Sequence, residues 1–244
     1  ERSNKIMKRI LFMILRLFYI APVYFWRLWW YSWHLERYDD DKCFAFLKDM
    51  TTRANKAGRV KIDVHGLENI PEQDGFIFFP NHQGLFDVLT FLESSPKKFR
   101  IVMKKEVANI VLVKQVRLLL RGLSIDREDV RASIKVIQQM TKEVKTGKNY
   151  LIFAEGTRSR NKNELLEFKG GSFKSAVNAR CPIVPVALID SYQSFDTNSI
   201  KPLTVQIHYL KPILYEEYKG MKTTEIAEMV RERIQTVIHE NEHK

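Results

Sequence analysis

The sequence predicts an α/β fold: a layered structure on a mostly parallel, mixed central sheet of about seven strands, preceded by an amino-terminal, membrane-interfacial helical hairpin. Three observations predict it. From residue 39 onward short runs rich in β-branched and aromatic residues alternate with helical stretches. The polar clusters of the body follow the strand-like runs, where ligands gather in open α/β sheets. Ahead of all this lies a stretch of large apolar and aromatic residues broken by isolated arginines.

That stretch comes first in the chain. Residues 1–38 are expected to form amphipathic, aromatic-rich anchoring helices, and 39–244 the α/β domain. All four tryptophans, Trp26, Trp29, Trp30 and Trp33, fall within 26–33. On a helix Lys5, Arg9 and Arg16 project within about 40° of one another and leave a wide apolar face opposite. Arg16 and Arg27 would each cost about 3 kcal/mol or more inside a bilayer. Tryptophan favours the headgroup level, so the pattern reads as attachment along the surface, at the cytoplasmic face of the cell membrane. Pro22 divides the stretch in two. A signal peptide would need an uninterrupted apolar run and a small-residue cleavage site, neither of which is present. A buried helical hairpin is the alternative.

In the body, strands are expected at 60–64, 76–79, 100–103, 123–126, 150–153, 183–189 and 203–209. Helices are expected near 42–56, 84–94, 106–120, 128–146, 171–179 and 223–240. The stretch 106–120 reads as one apolar helix with Lys114, Arg117 and Arg121 on a basic strip, either a core helix or the wall of an apolar tunnel.

Composition narrows the chemistry. Apolar residues make up 45% of the 244 positions, with only 10 Gly and 8 Pro, which suits a packed core and not disorder. Cys43 and Cys181 are distant from each other and from any Cys/His cluster, so neither a disulfide framework nor a metal site is expected. The net charge of +11 resides in 1–38 and in 97–131, where basic residues outnumber acidic ones. Such fields attract anionic lipid or phosphorylated ligands. No zinc-finger spacing, RNA-binding aromatic block or helix-turn-helix accompanies them, so no nucleic-acid partner is expected.

Three polar clusters carry the chemistry. In Pro80-Asn81-His82-Gln83-Gly84-Leu85-Phe86-Asp87, two side chains five apart on one regular helix would lie about 140° apart. His82 is therefore placed in the turn before the helix, with Asp87 in its first turn reaching back to the imidazole. The pair is either a satisfied structural contact or a base with its orienter. In Glu155-Gly156-Thr157-Arg158-Ser159-Arg160, glycine permits a tight turn and arginine offers a fork suited to phosphate, as in either a phosphate-binding turn or a surface loop. Gly122-Leu123-Ser124-Ile125-Asp126-Arg127 places an ion pair at a strand end.

In this order and at these separations, N-H-x-x-x-x-D, I-D-R, E-G-T-R-S and Val184-Pro185-Val186 resemble the glycerolipid acyltransferase family over about 60–215. The resemblance implies His82 as general base and Asp87 as its partner, with Arg127, Glu155, Gly156, Thr157 and Arg158 in the acceptor and phosphate site. It implies transfer of an acyl group from acyl-CoA or acyl carrier protein to the 2-hydroxyl of lysophosphatidic acid, without metal or cofactor. The Gly156 amide and Lys105 are candidate donors to the developing oxyanion. Ala154 stands where the family has proline, and the Pro/Gly pair common before the second block is absent from 107–120. A different lysolipid or glycerol 3-phosphate is the alternative acceptor, and a non-enzymatic membrane-surface module the alternative class. Ser124 lacks the second glycine of a nucleophile elbow, which disfavours a hydrolase.

Overall fold

The computed structural model describes residues 7–126 and 128–241, so Lys5 and Arg127 lie outside the described residues. Seven strands form one sheet: β1 (Val60–His65), β2 (Ile77–Pro80), β3 (Arg100–Lys104), β4 (Leu123–Ile125), β5 (Tyr150–Leu151), β6 (Ile183–Ile189) and β7 (Leu203–Tyr209), in the order β1-β7-β6-β2-β5-β3-β4. β6 and β7 pair antiparallel and every other neighbouring pair is parallel. The carboxyl ends of β2 to β6 therefore share one edge of the sheet with the amino ends of β1 and β7.

The strands are apolar on both faces because both faces are covered. Side-chain alternation divides the core in two. Phe76 and Phe78 join one cluster, together with residues of α2 (Ala21–Trp33), α3 (Asp40–Ala57) and α4 (Phe86–Ser94). Ile77 and Phe79 join the other, together with residues of α7 (Val130–Lys145), α8 (Lys174–Ala179) and α11 (Thr223–Asn241). α1 (Met7–Arg16) packs on α3 and inserts Met13 among Val60, Phe86, Phe195 and Val205. Short helices α9 (Gln193–Asp196) and α10 (Tyr215–Tyr218) complete the carboxyl-terminal half.

The expected strand positions hold to within two residues. One expected helix does not: 106–120 forms α5 (Lys105–Ala108) and α6 (Val113–Leu119), separated by a break at 109–112. Side-chain bonds to nearby backbone hold the chain in the break. Leu112, at φ 72, donates its amide to the Gln115 side chain at 2.8 Å. Arg117, expected on an outward basic strip, bonds back to the carbonyls of Ala108 and Gly122 at 3.4 and 3.0 Å. Arg121 turns to the carbonyls of Leu35 and Tyr38 at 2.8 and 2.7 Å, leaving only Lys114 of that strip exposed.

The amino-terminal pair divides as Pro22 requires, with the proline in the first turn of α2, and the two helices meet at a bend of 102°. Among the described residues no single helix is long and apolar enough to cross a membrane. Arg9 corrects the expected basic strip. It is 2% exposed, and its guanidinium donates to the carbonyls of Gly58 at 2.6 Å and Lys201 at 2.9 Å, anchoring α1 to the loops that enter β1 and β7. Arg16 donates to the Ala57 carbonyl at 2.9 Å. Trp26 and Trp33 are exposed, whereas Trp29 and Trp30 are half-buried.

Candidate active site

β2 and β5 are neighbours, yet the chain leaves them towards opposite faces: α4 joins the first core cluster and α8 the second. Such a switch opens a crevice at the carboxyl edge. The loops after β2, β5 and β6 line it.

As β2 ends, the Asn81 side chain takes over its pairing with β6. It donates to the Leu188 carbonyl at 3.0 Å and accepts from the Leu188 amide at 2.7 Å. His82 follows in the turn, and Asp87 occupies the first turn of α4, so the two side chains meet with His82 Nδ1 2.7 Å from Asp87 Oδ2. The amides of Gln83 and Gly84 donate to the same Oδ2 at 2.7 and 3.0 Å, and the Ser191 hydroxyl donates to Oδ1 at 2.5 Å. Asp87 is fully buried, and these donors replace its water. His82 keeps 19% of its side chain exposed, and its ring stacks on Phe153 at 4.0 Å between centroids. With Nδ1 held by the carboxylate, Nε2 is the nitrogen available to a reacting group; none of its hydrogen bonds is made among the described residues.

The turn after β5 grips the backbone of His82 from both sides. Glu155 Oε1 accepts the His82 amide at 2.8 Å, and the Ser159 amide donates to the His82 carbonyl at 2.8 Å. Glu155 Oε2 accepts the Leu166 amide at 3.2 Å. Glu155 was expected among the substrate-binding groups; both of its oxygens are instead committed to the protein backbone, and only 3% of the residue is exposed. Burial pushes its carboxyl up to about 7 against the pull of these two amides.

Gly156 sits at φ 74, the left-handed turn its sequence context suggested. Its amide donates to the Phe153 carbonyl at 3.1 Å, so the turn already employs that candidate oxyanion donor. Lys105 lies at the same sheet edge, beyond β3; its Nζ is 3.2 Å from Asp126 Oδ2, and no hydrogen bond among the described residues links it to His82 or Asp87. Thr157 is exposed and Arg158 half-buried. Arg158 and Arg160 oppose the rise that burial imposes on the Asp196 carboxyl, which places all three in one electrostatic neighbourhood. Asp196 in turn lies over Gly84, with Oδ2 3.6 Å from where a Cβ on that glycine would stand.

A lattice of amides locks the remaining loops. Gln83 Nε2 donates to Asn163 Oδ1 at 2.8 Å and to the Leu188 carbonyl at 3.1 Å; Asn163 Oδ1 also accepts the Asp190 amide at 2.9 Å. Asp190 adopts φ 64 and turns the chain out of β6 so that Ser191 meets Asp87. Ser191, Asn163 and Gln83 carry no motif of their own, and the one signal for Ser191 is its place just past a strand end. Among the described residues no group of three or more His, Cys, Asp or Glu side chains is disposed to hold a metal ion.

Comparison with known proteins agrees with this geometry. The profile of the family described as Acyltransferase matches residues 61–189, a segment that holds β1 to β6 and the His82–Asp87 pair. The chain is 31% identical over 157 residues to a 1-acyl-sn-glycerol-3-phosphate acyltransferase of Cocos nucifera, covering 63% of this chain and about half (51%) of that relative. It is 30% identical over 184 residues to the protein of that name from Borreliella burgdorferi, covering 73% of each, and 28% identical over 185 residues to the human alpha form. The crystal structure of the 1-acyl-sn-glycerophosphate (LPA) acyltransferase PlsC from Thermotoga maritima shares the fold, with a TM-score of 0.76, 24% identity and coverage of 97% of both chains. The match over more than half its length, centred on the crevice at the ends of β2 and β5, shows that this chain belongs to the acyltransferase family.

Proposed function

We propose that the chain transfers a fatty acyl group from an acyl thioester, acyl-CoA or acyl carrier protein, to the 2-hydroxyl of 1-acyl-sn-glycerol 3-phosphate, giving phosphatidic acid. The observation that carries this reading is an imidazole oriented by a buried carboxylate, with no Ser or Cys side chain hydrogen-bonded to it among the described residues. A base without a protein nucleophile suits direct attack by an acceptor hydroxyl better than an acyl-enzyme route. The names of the relatives supply the acceptor class.

In this mechanism His82 Nε2 takes the proton of the 2-hydroxyl as that oxygen attacks the thioester carbonyl. Asp87 stabilises the imidazolium, which returns the proton to the departing thiolate as the carbon–sulfur bond breaks. Arg158 receives the acceptor phosphate and sets the hydroxyl in line, an effect that can be worth several kcal/mol of barrier, about 7 at the lower end for well-oriented groups. Attachment to the cytoplasmic face of the membrane through α1 and α2 is part of the same proposal. It is supported by the exposure of Leu11, Leu15, Phe18, Tyr19, Trp26 and Trp33.

Purified protein given 1-acylglycerol 3-phosphate with CoA and carrier-protein donors in parallel tests the reading. Phosphatidic acid should form with at least one donor and vanish in His82→Ala. Thioester hydrolysis at an equal rate without acceptor would identify a hydrolase instead.

A further inference from the structure

We propose that the 109–112 break between α5 and α6 is a second lipid-contacting element, which grips the membrane on the side of the crevice opposite α1. The inference rests on the reading that the acceptor is a membrane lipid.

The argument begins with exposure. Ile110, Val111 and Leu112 are consecutive and are 52%, 66% and 40% exposed. Three large aliphatic side chains in a row on one short break form a contiguous apolar projection of the kind that marks an interaction site. The protein also holds this break in place: Leu112 stays at φ 72 with its amide on Gln115, and Arg117 folds α6 back onto the carbonyl that ends α5. A bulky residue in the left-handed region is costly, so the neighbouring contacts impose this conformation.

Position supplies the second argument. α5 follows the carboxyl end of β3 and packs on β3 and β4, so the projection stands at the sheet edge that carries His82. α1 is fastened to that same edge, because Arg9 and Arg16 hold the carbonyls of Ala57, Gly58 and Lys201 just before β1 and β7. Along the edge the order is β1 and β7 with α1, then β6, β2 and β5 with the crevice, then β3 and β4 with the projection. Four strand spacings separate β7 from β3, about 19 Å. Two exposed apolar elements thus flank the crevice, and a surface touching both would face its mouth.

Charge selects lipid as the occupant. Exposed Lys104 and Lys105 precede the projection in the chain and exposed Lys114 follows it; Glu106 and Asp126 pair with the first two at 3.0 and 3.2 Å, and Lys114 leaves the excess positive. An aliphatic tip flanked in the chain by a net positive charge fits an anionic bilayer surface.

The test uses the full chain and vesicles of phosphatidylcholine mixed with phosphatidylglycerol. Ile110→Ser with Val111→Ser should raise the dissociation constant for vesicles about tenfold, or about 1.4 kcal/mol, while turnover of a short-chain, water-soluble acceptor stays at the unaltered level. Because Cys43 and Cys181 are buried, Val111→Cys accepts an environment-sensitive dye at one place, and its emission should shift to the blue when vesicles are added. Unchanged vesicle affinity, or a dye that does not respond, overturns the proposal. Equal loss of turnover on soluble and vesicle-borne acceptor also overturns it, since the residues would then belong to the acyl path. If the unaltered protein turns over neither acceptor, the acyltransferase reading fails, and the vesicle and dye measurements still decide the role of the projection.

Discussion

Asp87 accepts four hydrogen bonds with no exposure to water, and one of them orients His82. Replacing His82 by Ala should abolish acyl transfer, whereas Asp87→Asn should retain a small residual rate. The imidazole survives in the second variant without its negative partner, so a loss of about 100- to 10,000-fold in kcat is expected. Rates of His82→Ala close to the unaltered protein's would end the mechanism. Glu155 makes a separate prediction. Its carboxyl is raised from 4.5 to about 7 in the folded protein, so ionisation is easier in the unfolded chain. The stability tied to the protonated form is full below about pH 4.5 and declines as pH rises through 7, by up to roughly 3 kcal/mol. Glu155→Gln keeps an acceptor for the His82 amide and removes the titration. The difference in urea midpoint between unaltered protein and Glu155→Gln should therefore drift in favour of the variant from pH 4.5 to 7, and a constant difference would refute the assignment. The five-residue spacing of His82 and Asp87 was enough to place one in the turn and the other on the helix. The role of Glu155 was not legible, because an acid beside Gly156 and Arg158 reads as part of a ligand site until the fold shows which amides it meets.

At the scale of elements, one acidic side chain ties the amino-terminal pair to the body. Asp40, in the first turn of α3, meets Arg100 at 3.0 Å, Arg121 at 3.3 Å and Lys148 at 3.5 Å. Burial tends to raise its carboxyl, but the bond from Arg100 and the surrounding cations bring it below the ordinary carboxylate value. Arg121 simultaneously holds the carbonyls of Leu35 and Tyr38 in the link between α2 and α3. Asp40→Asn should destabilise the fold by about 2 kcal/mol, because Arg121 and Lys148 lose their counter-charge and Arg100 keeps only Glu143, at 2.7 Å. A urea midpoint within error of the unaltered protein would show that the cations simply turn to water. Strand positions were legible because a strand covered on both faces is an uninterrupted apolar run, as in Ile183–Ile189. The break at 109–112 was not, because 106–120 has helical periodicity throughout and no Gly or Pro; the interruption is held by the Gln115 and Arg117 side chains bonding to backbone within the same segment.

Across the whole molecule, the amino-terminal helices join the body's core while presenting an apolar outer face. Leu28 and Tyr31 of α2 are 1% and 7% exposed and pack in the same cluster as Phe44, Phe91 and Tyr209, whereas Leu15, Phe18, Trp26 and Trp33 stand out at 62%, 71%, 62% and 69%. Reading residues 1–38 as amphipathic captured the outer face; the inner face was hidden because Leu28 and Tyr31 lie among residues of similar character. Removal of the segment and removal of its surface should therefore have different effects. Deleting 1–37 strips side chains from the core and withdraws Arg9 from the carbonyls of Gly58 and Lys201, so the remainder should be less stable and prone to aggregate. Changing Leu15, Phe18 and Trp26 together to Ser leaves those contacts in place. That variant should retain the unaltered urea midpoint to within about 0.5 kcal/mol, since exposed positions contribute little. It should nevertheless lose most vesicle binding. Salt offers an independent check, because screening weakens the attraction of exposed Lys8 and Arg16 to anionic lipid and leaves the burial of Phe18 and Trp26 almost untouched. High salt should release only part of the unaltered protein from vesicles, and detergent all of it. If the triple Ser variant binds as tightly as the unaltered chain, these side chains do not meet lipid and α1 is not an anchor.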